Sequence, residues 1–156
     1  MDYTPCTFSD SQHPHITTHA HELALTVLYE STLLHLADKP ESYLAQPQTV
    51  QDFLTDLPTV WDETRYISGY PGESCVLARR SGDAWFIAGI NGKDEPQSLT
   101  ADLKGIIENG KGVTTFQDTG DPDQPWDIMT GGSSNSLPES QIFNCQPRGG
   151  FVMVIR

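Results

Sequence analysis

The sequence has little cysteine, few bases and no long apolar run. Its three cysteines, Cys6, Cys75 and Cys145, form no CxxC pair and have no close neighbours, which excludes the zinc and dithiol motifs. Scattered thiols of this kind behave as small buried hydrophobes, although an oxidising compartment would allow one disulfide. Nine Lys and Arg stand against 21 Asp and Glu, giving a net charge of −12 and a pI near 4.5. Such a field repels phosphate backbones and anionic lipid, so neither nucleic acid nor a membrane surface is an expected partner. No apolar run reaches the roughly 18 residues needed to cross a bilayer. Residues Met1 to Pro5 have neither the basic nor the apolar region of a leader and read like the interior of something longer.

What is present suits a folded chain of 156 residues, with three Trp, five Tyr and six Phe spread along it. Residues 1–57 read as loop and helix, and residues 58–156 as strands. The spacing predicts a first helix from an N-cap at Thr17 or Thr18 to about Ala37, stopped by Pro40. Glu22, Thr26 and Glu30 form its polar stripe. The remaining arc, which includes Leu23, Val27 and Leu34, is far wider than a surface helix needs and expects neighbours on more than one side. A second helix follows Pro47, burying Val50, Phe53, Leu54 and Leu57.

From Pro58 the period falls toward two. Candidate strands are 60–67, 74–80, 84–91, 97–103, 112–118, 127–130, 140–145 and 151–156, although 101–109 also fits a helical turn. Ser81-Gly82-Asp83 between two of them is a strong hairpin signal. Seven or eight short strands with frequent turns give a mainly β fold, an antiparallel sandwich or Greek-key domain. Its expected core is Val76, Leu77, Trp85, Ile87, Ile90, Phe116, Ile142, Phe151, Val152 and Val154.

Candidate chemistry is thin. His13, His15, His19 and His21 cluster beside Glu22, but i, i+2 spacing points to different helix faces, and a histidine-rich loop is the plainer account. Asp118, Asp121, Asp123 and Asp127 sit on a Gly/Pro loop without the EF-hand register, so a solvated acidic loop outweighs a calcium site. Asp62 and Glu63 are adjacent on a strand and face opposite ways, unlike a glycosidase pair, and Glu30 has no visible partner. There is no GxSxG, and Gly131-Gly132-Ser133 lacks the Lys of a phosphate loop. Trp61, Trp85 and Trp126 are the candidates for a sugar-stacking row, with Trp85 better placed in the core. No catalytic constellation emerges.

Several segments together resemble the C-terminal end of glycoside hydrolase family 97, the bacterial α-glucosidases and α-galactosidases. They are Met1-Asp-Tyr-Thr-Pro5, Thr18-His-Ala-His-Glu-Leu-Ala24, Tyr29-Glu-Ser31 and Ala37-Asp-Lys-Pro-Glu-Ser-Tyr43. Leu57-Pro-Thr-Val-Trp-Asp-Glu-Thr-Arg65, Ala78-Arg-Arg-Ser-Gly-Asp-Ala-Trp85, Ala88-Gly-Ile-Asn91 and Gly149-Gly-Phe-Val152 continue it in order. The resemblance implies a (β/α)8-barrel remnant of loop and helices in 1–57 and a C-terminal β domain in 58–156. The family's catalytic and calcium-binding carboxylates fall outside these segments, so no catalytic residue, metal or cofactor is expected here. Asp2, Tyr3 and Thr4 would lie near the substrate pocket of a complete enzyme. Position 6 is Cys where a small residue such as Gly is expected. The family suggests a periplasmic setting.

Three functions follow in order. The first is a structural and oligomerisation module of a family 97 α-glycosidase, not catalytic alone. The second is a carbohydrate-binding sandwich, and the third one piece of a split enzyme. For partners, the unshared apolar arc with Leu23, Val27 and Leu34 predicts a homo-oligomer built on the first helix, or a missing barrel chain. The competing arrangement folds that helix onto its own β domain.

Overall fold

The computed structural model describes residues 3–10, 13–106, 112–119, 127–131 and 138–156. Its elements run α1 (His19–Leu28), α2 (Pro40–Leu44), α3 (Gln48–Thr55), β1 (Glu63–Tyr70), β2 (Ser74–Ser81), β3 (Ala84–Asn91), β4 (Gln97–Asp102), β5 (Val113–Gln117), β6 (Asp127–Gly131), β7 (Ser140–Cys145) and β8 (Gly150–Ile155). These bounds lie close to the strands expected from alternation and turns, and the mainly β, antiparallel fold is as expected.

Six strands form one sheet in the order β1-β2-β3-β8-β5-β6, and β4 pairs with β7 as a separate ribbon. Every pairing in both sheets is antiparallel. The central strands β3 and β8 are apolar at nearly every position, as strands covered on both faces must be. One face packs Val76, Ala78, Trp85, Ile87, Phe151, Met153 and Ile155 against Leu99, Leu103, Phe143 and Cys145 on the ribbon side. There the Phe143 and Phe151 rings stack 3.8 Å apart. Gly89 makes room for that stack, since a Cβ on it would lie 2.3 Å from the Phe151 ring. The other face packs Phe86, Ala88, Phe116, Val152 and Val154 against Leu23, Ala24 and Val27 of α1, Val50 and Phe53 of α3, and Cys6 and Phe8. The layers are therefore ribbon, sheet, and helices with the N-terminal segment.

Several expectations need correction. The first helix begins as expected, with Thr18 as N-cap and its hydroxyl accepting from the His21 N–H, but ends at Leu28 rather than near Ala37. Tyr29 turns extended, and Arg79 of β2 donates to the Leu28 and Tyr29 carbonyls at 3.1 and 3.3 Å. That guanidinium satisfies the acceptors the helix end leaves open. Thr26 is no part of a solvated stripe: it is buried, and its hydroxyl donates to the Leu23 carbonyl at 2.7 Å. Leu23 and Val27, expected to be exposed and to build a dimer, are fully buried because α1 lies on β3 and β8. The competing arrangement, a helix folded onto its own β domain, is the one adopted, and Leu34 lies outside the helix.

Pro40 starts a helix instead of only stopping one, at the first-turn position where its missing N–H costs nothing. Val50 and Phe53 of α3 are buried as expected, while Leu54 and Leu57 are half-buried. Ile142 is exposed because Phe143 and Cys145 take the inward positions of β7. Leu77 and Ile90 are only half-buried, on the helix-side face of the sheet.

Candidate functional site

Of the three residues expected near a substrate pocket, Asp2 lies outside the described residues. Tyr3 and Thr4 begin the segment 3–10, whose Cys6 and Phe8 pack with Leu23, Ala24 and Val27 of α1. Tyr3 bridges Leu34 in parallel: its N–H donates to the Leu33 carbonyl at 3.4 Å, and its carbonyl accepts from His35 at 2.8 Å. The Ala37 N–H donates to the Pro5 carbonyl at 3.1 Å, extending this ladder. Tyr3 also stacks on Tyr29, ring centroids 4.4 Å apart, and Thr4 is exposed. Two parallel extended segments joined through α1 make a βαβ unit.

Three acceptors and donors hold the segment in place. Glu22, one turn into α1, accepts the Cys6 and Thr7 N–H groups at 3.2 Å each and the Thr17 hydroxyl at 2.7 Å. Asp38 accepts the Phe8 and Ser9 N–H groups at 2.9 and 2.7 Å and the Ser9 hydroxyl at 2.8 Å. Desolvation pushes the Asp38 carboxyl up, but the N–H groups of Phe8, Lys39 and Ser9 and the Ser9 hydroxyl outweigh it and hold its pKa well below the usual range. The Tyr43 hydroxyl donates to the Cys6 carbonyl and accepts the Asp38 N–H, both at 2.8 Å. Burial raises that phenol to about 12, against the pull of the Asp38 N–H. Cys6 itself adopts φ +73°, a left-handed conformation that favours glycine. Its thiol is pushed well up by burial, then by Glu22 and Asp38, so it is no thiolate nucleophile.

The four histidines do not converge. His13 is exposed, His15 pairs with Asp10, and His19 meets Phe8 and His15 by its ring edges. His21 points the other way, its Nδ1 3.2 Å from the Gly149 carbonyl. Among the described residues no three His, Cys, Asp or Glu side chains form a metal-binding group. Asp121 and Asp123 lie outside the described residues, and Asp127 falls on β6. Asp118 is buried instead of solvated, its Oδ2 accepting the Gln146 and Gly150 N–H groups at 2.9 Å each. A Cβ on Gly149 would lie 1.9 Å from that oxygen, so the turn fits the carboxylate only as glycine. Together with the Thr18 N–H to Arg148 carbonyl bond, at 3.1 Å, these contacts fasten the start of α1 to the turn before β8.

The carboxylates weighed as catalytic pairs are held by arginines. Glu30 binds Arg79 at 2.9 Å, Glu63 binds Arg65 at 2.6 Å, and Asp62 meets Arg80 at 3.4 Å. Trp61 lies edge-on to Phe86 with Arg79 over its ring, and Trp85 is in the core beneath Arg65. Trp126 lies outside the described residues, so the described tryptophans build no exposed row. Sequence reading missed Arg79, Asp38 and Tyr43, which pair with backbone groups far away in sequence. Two hollows remain. One of about 510 Å³ is lined by Leu36, Pro40, Tyr43, Leu44 and Leu54; the other, about 290 Å³, lies between α3 and β5 beside the Asp56–Arg156 ion pair.

Comparison with known proteins accords with this architecture. Residues 60–156 match the family model described as Glycosyl-hydrolase 97 C-terminal, oligomerisation. A probable retaining alpha-galactosidase of Streptomyces bingchenggensis is 53% identical over 89 residues, covering 57% of this chain and 14% of its own length. A retaining alpha-galactosidase of Bacteroides thetaiotaomicron is 39% identical over 101 residues, covering 65% of this chain and 15% of its own. Among solved structures, a beta-arabinopyranosidase superposes with TM-score 0.80 at 30% identity, over 96% of this chain and 24% of that one. A family 97 enzyme of Pseudoalteromonas sp. strain K8, solved with panose, has TM-score 0.81 at 24% identity, over 98% and 26%. The chain thus spans about one seventh of the length of the curated relatives it matches. By the match over residues 60–156, the chain belongs to glycoside hydrolase family 97.

Proposed function

We propose that this chain is a packing and association module of a family 97 α-glycosidase and does not hydrolyse glycosides by itself. The observation that carries the reading is the match of residues 60–156 to a C-terminal domain described by oligomerisation. The geometry supports it: the sheet anchors α1 through Arg79 and the Gly149 turn, and Glu22 of α1 in turn holds Cys6 and Thr7 of the N-terminal segment. Retaining or inverting hydrolysis needs two carboxyls flanking one bond, whereas Glu30, Asp62 and Glu63 are engaged by arginines.

The test is turnover of an aryl α-galactoside, chosen because the curated relatives carry that name, and of an aryl α-glucoside. No turnover above the uncatalysed rate is expected from pure protein. Turnover abolished by replacing one described carboxylate would overturn the reading. Association is tested by light scattering at tens of micromolar: a mass above the monomer is expected, and a clean monomer mass refutes self-association.

A further inference from the structure

The hollow between α3 and β5 has an apolar floor and a polar rim. On the floor, Phe53 and Phe116 are buried with ring centroids 5.2 Å apart, and Val154 lies beside them. Thr49, Asp52, Phe53 and Asp56 recur at i, i+3, i+4 and i+7, so α3 and its C-cap turn one face to the hollow. Thr114 and Arg156 complete the rim from the sheet. Gly112 and Arg156 exchange both backbone hydrogen bonds, at 2.8 and 3.0 Å, which fixes the root of the guanidinium.

Much of the rim's hydrogen-bonding capacity is unspent. Arg156 Nη1 donates to Asp56 Oδ2 at 3.0 Å, and Asp52 Oδ1 accepts the Gln48 amide at 2.8 Å. Among the described residues, Asp56 Oδ1, Asp52 Oδ2 and the hydroxyls of Thr49 and Thr114 have no hydrogen-bond partner. The volume, about 290 Å³, is at the low end of ligand pockets, roughly 300–1,000 Å³, and suits one small ring.

Charge decides the class of occupant. Two carboxylates beside one guanidinium leave the rim negative, on a chain of net charge −12, and turn anions away. A cation would have to part Asp56 from Arg156. A neutral polyol need not. The pair offers an acceptor and a donor side by side, as two neighbouring hydroxyls of a sugar ring require. The ring's C–H groups match the floor, and the threonine hydroxyls, which both donate and accept, serve its other oxygens.

We propose that the hollow between α3 and β5 binds one pyranose ring, held through vicinal hydroxyls by Asp56 and Arg156. The site shares no residue with Tyr3 or Thr4 and does not depend on association. A ring of about a dozen heavy atoms should bind with a Kd on the order of millimolar.

The test titrates the isotope-labelled full chain with glucose, galactose and maltose, followed by NMR. Saturable shifts are expected at the amides of Thr49, Phe53, Asp56, Thr114 and Arg156. Asp56→Ala and Thr114→Val should each weaken binding by about tenfold, the loss expected for one missing hydrogen bond to a charged or oriented partner. Both should leave the unfolding midpoint nearly in place, since the Asp56–Arg156 pair is exposed and valine keeps the shape of threonine. Maltose binding as well as glucose would show that the site takes a chain end, and glucose alone that it takes the free sugar; either result supports the site.

Shifts that grow linearly with sugar, or that glycerol reproduces, would overturn the proposal. So would sulfate competing for the same amides, which would make this an anion site. Binding indifferent to both Asp56→Ala and Thr114→Val would place the sugar elsewhere and overturn it too.

Discussion

Burial treats the two titratable groups beside the Gly149 turn in opposite ways. It lowers the His21 pKa from the ordinary 6.5, with the Gly149 carbonyl and Glu22 resisting, and it raises that of Asp118. A base with a lowered folded pKa gives stability that is complete above its unfolded value and declines as pH falls below about 6.5. Asp118 works the other way: the fold favours its protonated form, so stability falls as pH rises from about 3.9 through its raised pKa. Above that pKa the histidine contributions change, that of His21 and that of His19, which burial also lowers. The unfolding midpoint should therefore fall below pH 6.5, and His21→Gln should flatten part of that limb and leave the share of His19; an unchanged limb would mean His21 does not contribute. Each proton changes stability by at most about 1.4 kcal/mol per pH unit. A neutral test of packing is Trp85→Ala, expected to cost about 3–5 kcal/mol in denaturant unfolding because the ring is buried beneath Arg65. A cost under about 1 kcal/mol would contradict that burial.

The strands were legible in the sequence because their cause is local. Two strand-like runs over 74–81 and 84–91, broken by Ser81-Gly82-Asp83, define a hairpin whatever surrounds it. Helix α1 was half legible: Thr18 caps its start locally, but its end depends on Arg79, about fifty positions away, and on the pairing of Tyr3 with Leu34. The face of β7 was misread because either parity of Ile142 and Phe143 buries a large hydrophobe, and only the stack on Phe151 selects Phe143. At the candidate site, Glu22 was recognised as part of the polar stripe of the helix, whereas its binding of the Cys6 and Thr7 N–H groups depends on a segment brought in from outside the helix. The helix end can be tested directly. Arg79→Met should cost about 1–3 kcal/mol, since it strands two carbonyls and its buried guanidinium cannot be replaced by water. Glu30→Gln should cost under about 1 kcal/mol, because Glu30 is exposed. Equal costs in urea unfolding would show that the ion pair, not the carbonyl contacts, matters.

For the whole molecule, the two sides of the sheet are unlike. The ribbon side closes within residues 58–156, while the helix side is completed by α1, α3, Cys6 and Phe8. Leu23→Glu places a charge in that second layer and should unfold the chain rather than merely dissociate it, as followed by circular dichroism. A folded Leu23→Glu monomer would contradict the packing. A chain starting at Pro58 should keep its strand signature but scatter light, because Phe86, Phe116 and Val152 lose their cover. Net charge sets the conditions for association. At −12 the copies repel one another at long range, so the associated fraction should rise with added salt as that repulsion is screened. A fraction that falls with salt would point to a contact built on ion pairs.

The strand order has a consequence for synthesis. β8 follows β1 to β7 in sequence yet sits in the middle of the sheet, between β3 and β5. On the ribosome, β1, β2 and β3 can pair as they emerge, but β5 and β6 have nothing to join until β8 arrives. Phe143 lacks its stacking partner Phe151 for that interval, and the pairings of β8 that close the sheet are long-range and slow. A nascent chain stalled before Gly150 should be cut readily by protease and become resistant only once Ile155 has cleared the exit tunnel. The sheet of this fold cannot close before β8 has been made.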